Sequence, residues 1–199
     1  DVLELLPHQK IEPDNLKAYF ETGDIDYKKV IISQFKAKDL VRKVTVEVEE
    51  PFDKKDYYEN PKNYTAKFHE YLPYVNFLVN GVYWEAKYPR VLCAKELKQY
   101  HELGKSRLMG VCDISADYDG SIDFTRRFTS IEEPFICFDI MKDDFVEKIN
   151  DANNDCILFH SVDHLPAEMP KEASNHFGEA LYPFVAQVVK STNTTPFEN

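Results

Sequence analysis

The stretch "RLMGVCDISADYDGSIDF", residues 107–124, joins a continuous apolar run to a dense cluster of carboxylates. Its hydrophobic residues occupy successive rather than alternate positions, which is typical of a strand covered on both faces, as in a parallel sheet. The same pattern recurs in "NFLV" at 76–79 and "CILF" at 156–159. We therefore predict three buried strands of one parallel sheet.

Helix-like and strand-like segments alternate along the rest of the chain. Further strands are predicted at 29–35 and 134–140, and helices at 60–75, 94–103 and 169–190, with a surface loop at 47–61. Strands that alternate with helices indicate an α/β fold.

The helix predicted at 169–190 has the clearest signals. Pro170 fits its first turn, and Pro183 is expected to kink it. Apolar residues recur at helical spacing and predict a buried face. They are Ala173, Phe177, Ala180, Leu181, Phe184, Val185 and Val188.

The composition limits the class of protein. With 199 residues and 43% hydrophobic content, the chain can form one domain with a sizeable core. No apolar run approaches the roughly 20 residues of a membrane span. The net charge of −11 argues against a nucleic-acid surface. None of the four cysteines forms a C-x-x-C pair, which favours buried free thiols in a reducing compartment.

The carboxylate cluster allows several interpretations. Starting at Ser115, Asp117, Asp119 and Gly120 match the middle of an EF-hand loop, but Ser115 and Arg126 stand where Asp and Glu ligands belong. A carboxylate pair for glycoside chemistry is a second interpretation. A surface turn without function is a third, because Asp and Gly favour turns.

The position of the cluster in the predicted sheet favours a ligand site. The three continuous runs break into small or polar residues at "NGVYW" (80–84), "DISAD" (113–117) and "VDHL" (162–165). In open parallel sheets, ligands bind beyond the carboxyl ends of the strands. We therefore expect the three breaks to form one site, although every strand must end somewhere and polar residues often end it.

These segments together resemble a known family. "NGVYWE" (80–85), "DISAD", "EEPF" (132–135) and "SVDHLPAEMPKEAS" (161–174) are similar to the lysine–2-oxoglutarate reductase part of alpha-aminoadipic semialdehyde synthase. The resemblance covers essentially the whole chain. Fungal saccharopine dehydrogenases share a similar pair of motifs, and the alanine dehydrogenase and transhydrogenase group is more distantly similar.

The resemblance implies an oxidoreductase of lysine degradation. In this family, L-lysine condenses with 2-oxoglutarate, and a nicotinamide cofactor reduces the imine to saccharopine. Residues 1–199 would then be a single α/β domain, most of the Rossmann-like dinucleotide-binding half of a two-domain reductase. The family also implies the mitochondrial matrix, a bifunctional parent with a saccharopine-oxidising domain, and allows a homo-oligomer.

The resemblance also assigns roles to residues. Ser115, Ala116 and Asp117 would line the substrate side of the cleft. Asp117, a carboxylate at a strand end, suits the cationic amine of lysine. The remaining residues would lie along the cofactor, with Glu12 at the adenosine ribose. They are Glu12, Tyr83, Ile114, Val162, Asp163, His164 and Leu165.

The chain departs from the family pattern in one respect. It has six glycines and no G-x-G-x-x-G after a strand, so we expect the first βα unit with the pyrophosphate loop to lie outside it. The general acid–base residues of the family belong to a preceding N-terminal domain. We therefore expect a longer parent protein, and no reductase activity from these residues alone.

Two questions stay open at this level. Glu12 favours NAD(H), because an acidic residue repels a 2′-phosphate, whereas the bifunctional enzymes imply NADP(H), which we predict. The alternative to an enzyme is a non-catalytic α/β binding or interaction module derived from this fold. A metal-dependent hydrolase lacks a plausible ligand set.

Overall fold

A computed structural model describes residues 5–44, 51–147 and 151–191. The chain separates into two units, Asp1–Asp163 and His164–Asn199. The first unit contains all of the strands described and four of the α-helices. The prediction that residues 1–199 form one domain, most of a dinucleotide-binding half, stays a prediction.

Short elements dominate the first unit. Its α-helices are α1 (Leu16–Glu21), α2 (Ala37–Leu40), α3 (Lys54–Glu59) and α4 (Ala94–Glu102). Its strands are β1 (His8–Lys10), β2 (Val30–Ile32), β3 (Val41–Lys43), β4 (Tyr64–Ala66), β5 (Phe77–Asn80), β6 (Gly110–Asp113), β7 (Ile136–Asp139), β8 (Asp144–Val146) and β9 (Cys156–His160).

The main sheet has five strands in the order β5-β6-β9-β7-β8. The strands β5, β6 and β9 run parallel, as predicted. The predicted cover on both faces is wrong for β5, where Phe77 is 63% and Val79 58% exposed. The α/β fold is thus confirmed, but the sheet is mixed, because β7 is antiparallel to both β9 and β8. The four-residue connection between β7 and β8 is too short for the crossover that parallel neighbours need.

The core of the first unit lies on one face of this sheet. Phe124 stacks on Phe138 with ring centroids 4.5 Å apart, and Phe159 contacts Phe124 at 5.8 Å. All three side chains are fully buried. Aromatic pairs in such contact contribute about 0.5–1.5 kcal/mol beyond their burial. Because Phe124 follows the carboxylate cluster directly, the core fixes one end of that loop.

Helix α4 lies where the sequence predicts it. Leu97 is fully buried against the core, and the Asp123 carboxylate accepts a hydrogen bond from the Ala94 amide at 2.7 Å. That bond caps the first turn of the helix from a distant segment. Gly104, with φ of +64°, takes the left-handed conformation that commonly ends a helix.

The helix predicted at 60–75 is wrong. These residues form a 3-10 helix at Pro61–Asn63, the strand β4 and a second 3-10 helix at Phe68–Tyr71. Strand β4 pairs with β3, a partner more than 20 positions earlier that local periodicity does not reveal. The predicted surface loop at 47–61 contains α3, and its first residues lie outside the part of the chain that the structure describes.

The second unit consists of a 3-10 helix, Leu165–Glu168, followed by α5 (Pro170–Lys190). This helix has the predicted position, with Pro170 in its first turn and Pro183 inside it. The predicted buried face is wrong for this structure, because none of the side chains of α5 is buried. Phe177, for example, is 66% exposed. Among the described residues, no helix combines the length and hydrophobicity that crossing a bilayer requires.

Asp139, at the end of β7, gives the stability of the fold a predictable dependence on pH. Burial alone would raise the pKa of its carboxyl. Hydrogen bonds from the Lys142 side chain and backbone, together with the Lys142 charge and Asn153, instead lower this pKa below the usual 3.8. A lowered carboxyl pKa contributes stability that is present above the unfolded value and lost as the pH falls through the folded one.

We expect Asp139→Asn to lower the free energy of unfolding by about 1 kcal/mol at neutral pH, because the ion pair with Lys142 is lost. The variant should also lose less stability than the wild type below about pH 4. Denaturant unfolding across the acidic range measures both effects. The control Lys142→Met removes the ion pair but leaves the carboxylate. Parallel pH curves for Asp139→Asn and wild type would contradict the prediction.

Candidate functional site

The three predicted strand ends lie side by side at one edge of the main sheet. Asn80 at the end of β5 is in register with Asp113 at the end of β6. Cys112 of β6 is in register with His160, the last residue of β9. The structure therefore brings together the carboxyl ends of these three strands, as expected for parallel neighbours.

A buried polar network underlies this edge. The Asp113 carboxylate accepts hydrogen bonds from Asn80 Nδ2 at 2.8 Å, Ser115 Oγ at 2.6 Å and Thr125 Oγ1 at 2.6 Å. Asn80 Nδ2 also approaches Ser121 Oγ at 2.8 Å. Asn80, Asp113, Ser121 and Thr125 are almost fully buried. Such a satisfied network holds its members in one arrangement, so the base of the candidate site is rigid.

The predicted substrate segment rises from this network. Ser115 is partly buried and tied to Asp113, whereas Asp117 is exposed. Ala116 adopts φ of +47°, an uncommon conformation for a residue with a side chain. Strained residues of this kind often accompany functional sites, where the surrounding structure holds them in place. Here the Ser115 hydrogen bond to the buried network holds the segment.

A second chain segment crosses the end of β9. Thr129 forms an isolated parallel bridge with Val162, and its amide donates to the Ser161 carbonyl at 2.9 Å. The Ser161 amide donates in return to Thr129 Oγ1 at 3.0 Å. The Ser161 hydroxyl is buried and has no hydrogen-bond partner within the described ranges. The Ser161 hydroxyl, directly before the predicted cofactor residue Val162, thus keeps an unused capacity for hydrogen bonding.

The predicted cofactor residues occupy different environments. Tyr83 is 83% exposed, and Ile114, directly after β6, is 46% exposed. Val162 is buried, and Asp163 after it is exposed.

Two further cofactor residues, His164 and Leu165, belong to the second unit. His164 is exposed, and Leu165 begins a 3-10 helix.

Glu12 lies outside the main sheet. It is exposed at the start of the 3-10 helix Pro13–Asn15, beside the separate two-stranded sheet of β1 and β2. Its role at the ribose of a cofactor stays a prediction.

One cysteine contacts a histidine at the same edge. Cys112 Sγ lies 3.4 Å from His160 Nδ1 on the neighbouring strand. Burial, and then the charge of Asp113, raises the pKa of the Cys112 thiol. A raised pKa disfavours the thiolate, which is the nucleophilic form of cysteine. Each of the four cysteines is free, as predicted, although only Cys137 is fully buried.

Four members of the buried network were not among the predicted site residues: Asn80, Asp113, Ser121 and Thr125. A polar residue at the end of the run "FLVN" is the one local signal for Asn80. Ser121 and Thr125 gain their roles through partners that the loop brings together. Across 5–44, 51–147 and 151–191, no group of three or more His, Cys, Asp or Glu side chains is arranged to hold a metal ion.

These features define an open α/β sheet protein with a candidate ligand site at the carboxyl edge of its parallel strands. No family model matches the chain. It is 37% identical over 202 residues to "Alpha-aminoadipic semialdehyde synthase" of Arabidopsis thaliana, covering 96% of this chain and 18% of that protein. The mitochondrial enzyme of the same name from Mus musculus is 33% identical over 216 residues, covering 100% of this chain and 22% of the relative.

A weaker match supports the same relationship. "Saccharopine dehydrogenase [NAD(+), L-lysine-forming]" of Emericella nidulans is 27% identical over 129 residues, covering 63% of this chain and 31% of that protein. The chain belongs to the alpha-aminoadipic semialdehyde synthase family. It spans about a fifth of the length of the synthases named above.

Proposed function

We propose that this chain is part of an oxidoreductase of lysine degradation that forms saccharopine. The parent enzyme would condense the ε-amine of L-lysine with the ketone of 2-oxoglutarate, releasing water. Hydride from a nicotinamide cofactor would then reduce the carbon of the imine, and a proton would reach its nitrogen. The names of the relatives, a semialdehyde synthase and a saccharopine dehydrogenase, support this choice of pathway.

The observation that carries the proposal is the shared edge of three parallel strands. In open α/β sheets this edge binds nucleotides and their substrates. Here it presents the exposed carboxylate of Asp117 on a segment that the buried network anchors. A rigid base below a projecting charged group is the arrangement that orients a ligand.

The side chains at the edge suit an amino-acid substrate. Asp117 would bind an ammonium group of lysine or saccharopine through a charge-assisted hydrogen bond. Ser115 and the backbone at Ala116 would line the same side of the cleft. The proton-transfer residues are proposed to lie in another part of the parent enzyme, so this chain alone should form no saccharopine.

The residues fit one end of a nicotinamide dinucleotide. The bound cofactor would supply the hydride. Tyr83 and Ile114 offer exposed apolar surface for a ring at the strand ends, and the buried Ser161 hydroxyl keeps an unused hydrogen-bond capacity. The pyrophosphate end has no G-x-G-x-x-G in this sequence. We propose NADP(H) as the cofactor, with NAD(H) as the alternative that Glu12 favours.

The remaining proposals concern the parent protein. Relatives named mitochondrial support a mitochondrial location, and we propose the matrix. We also propose that a preceding catalytic domain and a saccharopine-oxidising domain complete the enzyme. The absence of G-x-G-x-x-G from this sequence supports the second candidate function, a non-catalytic binding or interaction module.

Calorimetric titration of the chain with saccharopine, NADPH and NADH tests the proposal. We expect saccharopine to bind and NADPH to bind more tightly than NADH. Asp117→Ala should weaken saccharopine binding about ten- to hundredfold, because a charge-assisted hydrogen bond is lost. The control Asp14→Ala removes an exposed carboxylate outside the sheet.

Three outcomes would contradict these proposals. If Asp117→Ala and Asp14→Ala weakened saccharopine binding equally, Asp117 would not be part of the site. Absence of saccharopine binding by the chain would favour the non-catalytic module. Tighter binding of NADH than of NADPH would refute the choice of cofactor.

A further inference from the structure

We propose that Arg90 is a positioning residue that holds the turn carrying Asp117. Its relevance to a ligand rests on the proposed function of the strand-end site. The role of Arg90 in the turn stands on contacts of the chain itself.

The Arg90 guanidinium binds the turn at three oxygen atoms. Its Nη1 donates to the carbonyl oxygens of Asp119 at 2.6 Å and Gly120 at 2.5 Å. The same atom lies 3.0 Å from the Asp119 carboxylate. Hydrogen bonds from a charged donor are roughly twice as strong as neutral ones, so this side chain fixes two successive carbonyl groups.

The turn transmits this constraint to Asp117. The Gly120 amide donates to the Asp117 carbonyl at 3.0 Å, and the Asp119 amide donates to the Thr125 carbonyl at 2.9 Å. Asp119 adopts φ of +48°. A residue with a side chain pays about 1–3 kcal/mol for such a conformation, which the surrounding contacts must offset. When the carbonyl groups at 119 and 120 are fixed, the backbone that carries the Asp117 side chain is fixed with them.

Arg90 also joins the turn to the segment after β5. Its Cζ lies 4.9 Å from the centroid of the Trp84 ring, in a cation–π contact. Trp84 Nε1 in turn donates to the carbonyl oxygens of Tyr88 and Pro89 at 3.1 and 3.2 Å. One guanidinium thus connects Trp84, the last residue of the first predicted site segment, to the turn that follows the second.

The contacts of Arg90 distinguish positioning from direct ligand binding. Its side chain is 28% exposed, and the group that faces the turn is already engaged by protein oxygens. A lysine can keep the charge, but it lacks the planar guanidinium. It therefore cannot stack on the indole and donate hydrogen bonds to the turn at the same time.

The backbone next to Arg90 is held independently of its side chain. The Val91 amide donates to the Ser121 carbonyl at 2.8 Å, and Leu92 forms an isolated bridge with Ile122. Replacement of the Arg90 side chain therefore leaves this pairing intact. The variants should fold, and the expected change is confined to the turn.

Amide hydrogen exchange of Arg90→Met, Arg90→Lys and Arg107→Met tests the proposal. Arg107 is the matched control, because its Cζ lies 5.5 Å from the Phe20 ring, in a cation–π contact with a ring outside the three site segments. In Arg90→Met, the amides of Asp119 and Gly120 should exchange about tenfold faster or more, with the amides of the main sheet unchanged. Arg90→Lys should restore part of the protection.

The outcomes separate this proposal from the proposed function. Equal exchange at these amides in Arg90→Met and Arg107→Met would overturn the positioning role, as would faster exchange throughout the sheet. If the wild-type chain binds saccharopine, Arg90→Met should weaken binding about tenfold, and unchanged affinity with a loosened turn would overturn the link to Asp117. If the wild type does not bind saccharopine, the proposed function fails, and the exchange comparison still decides the role of Arg90.

Discussion

Replacing Asp113 with alanine is expected to lower the free energy of unfolding by about 3–5 kcal/mol. The carboxylate is the common acceptor for Asn80, Ser115 and Thr125, and only 1% of Asp113 is exposed. Its removal leaves buried donors without partners and a cavity at the ends of β5 and β6. The measurement is equilibrium unfolding in denaturant, with circular dichroism as the probe.

Asp113→Asn provides the matched control. It keeps one carbonyl oxygen for the donors at Asn80 and Ser115, and it preserves the volume of the side chain. The hydroxyl of Thr125 can rotate to accept from the new amide. We expect Asp113→Asn to lower the free energy of unfolding by about 1–2 kcal/mol. If Asp113→Ala and Asp113→Asn differed by less than the error of the measurement, the network would not be an important source of stability.

Gly120→Ala is expected to displace the loop and to lower the free energy of unfolding by about 2–3 kcal/mol. A Cβ atom at this position would lie 2.6 Å from Asp117 Cβ and 2.8 Å from the Asp117 carbonyl oxygen. Both contacts are shorter than van der Waals separations, and one involves backbone, so the turn itself must move. We therefore expect saccharopine affinity to fall together with stability.

Gly81→Ala is the control for this substitution. Gly81 lies directly after β5, and an added Cβ there would meet no other part of the chain within 4 Å. We expect the free energy of unfolding of Gly81→Ala to remain within about 0.5 kcal/mol of the wild-type value. Unfolding measurements on the two variants would contradict the prediction if their losses were equal.

The sequence contains more information about the strands than about their directions. The continuous apolar runs at 76–79, 107–114 and 156–159 predict strands of a parallel ladder. They do not predict the burial of both faces, because Phe77 and Val79 of β5 are exposed. The run at 134–140 has a similar composition, yet β7 is antiparallel. Direction depends on how the connections place a strand beside its partners, and no residue within the run encodes it.

Some features of the candidate site can likewise be predicted from local sequence, and others cannot. The three polar breaks are predictable because strand ends and turn-forming residues leave local signals. The network at Asp113 is not predictable from these signals, because Asn80 and Thr125 reach it from 33 and 12 positions away. The roles of Glu12 and His164 at a cofactor stay predictions that derive from family resemblance.

The stacking of Arg90 on Trp84 has a practical consequence for spectroscopy. Trp84 is the sole tryptophan of the chain, so excitation at the red edge of the protein absorption band selects one fluorophore and not the 12 tyrosines. The guanidinium lies over this indole and also binds the turn after Asp117. The emission wavelength and lifetime of Trp84 therefore report on the environment of the loop, and the chain carries its own optical probe without an attached dye.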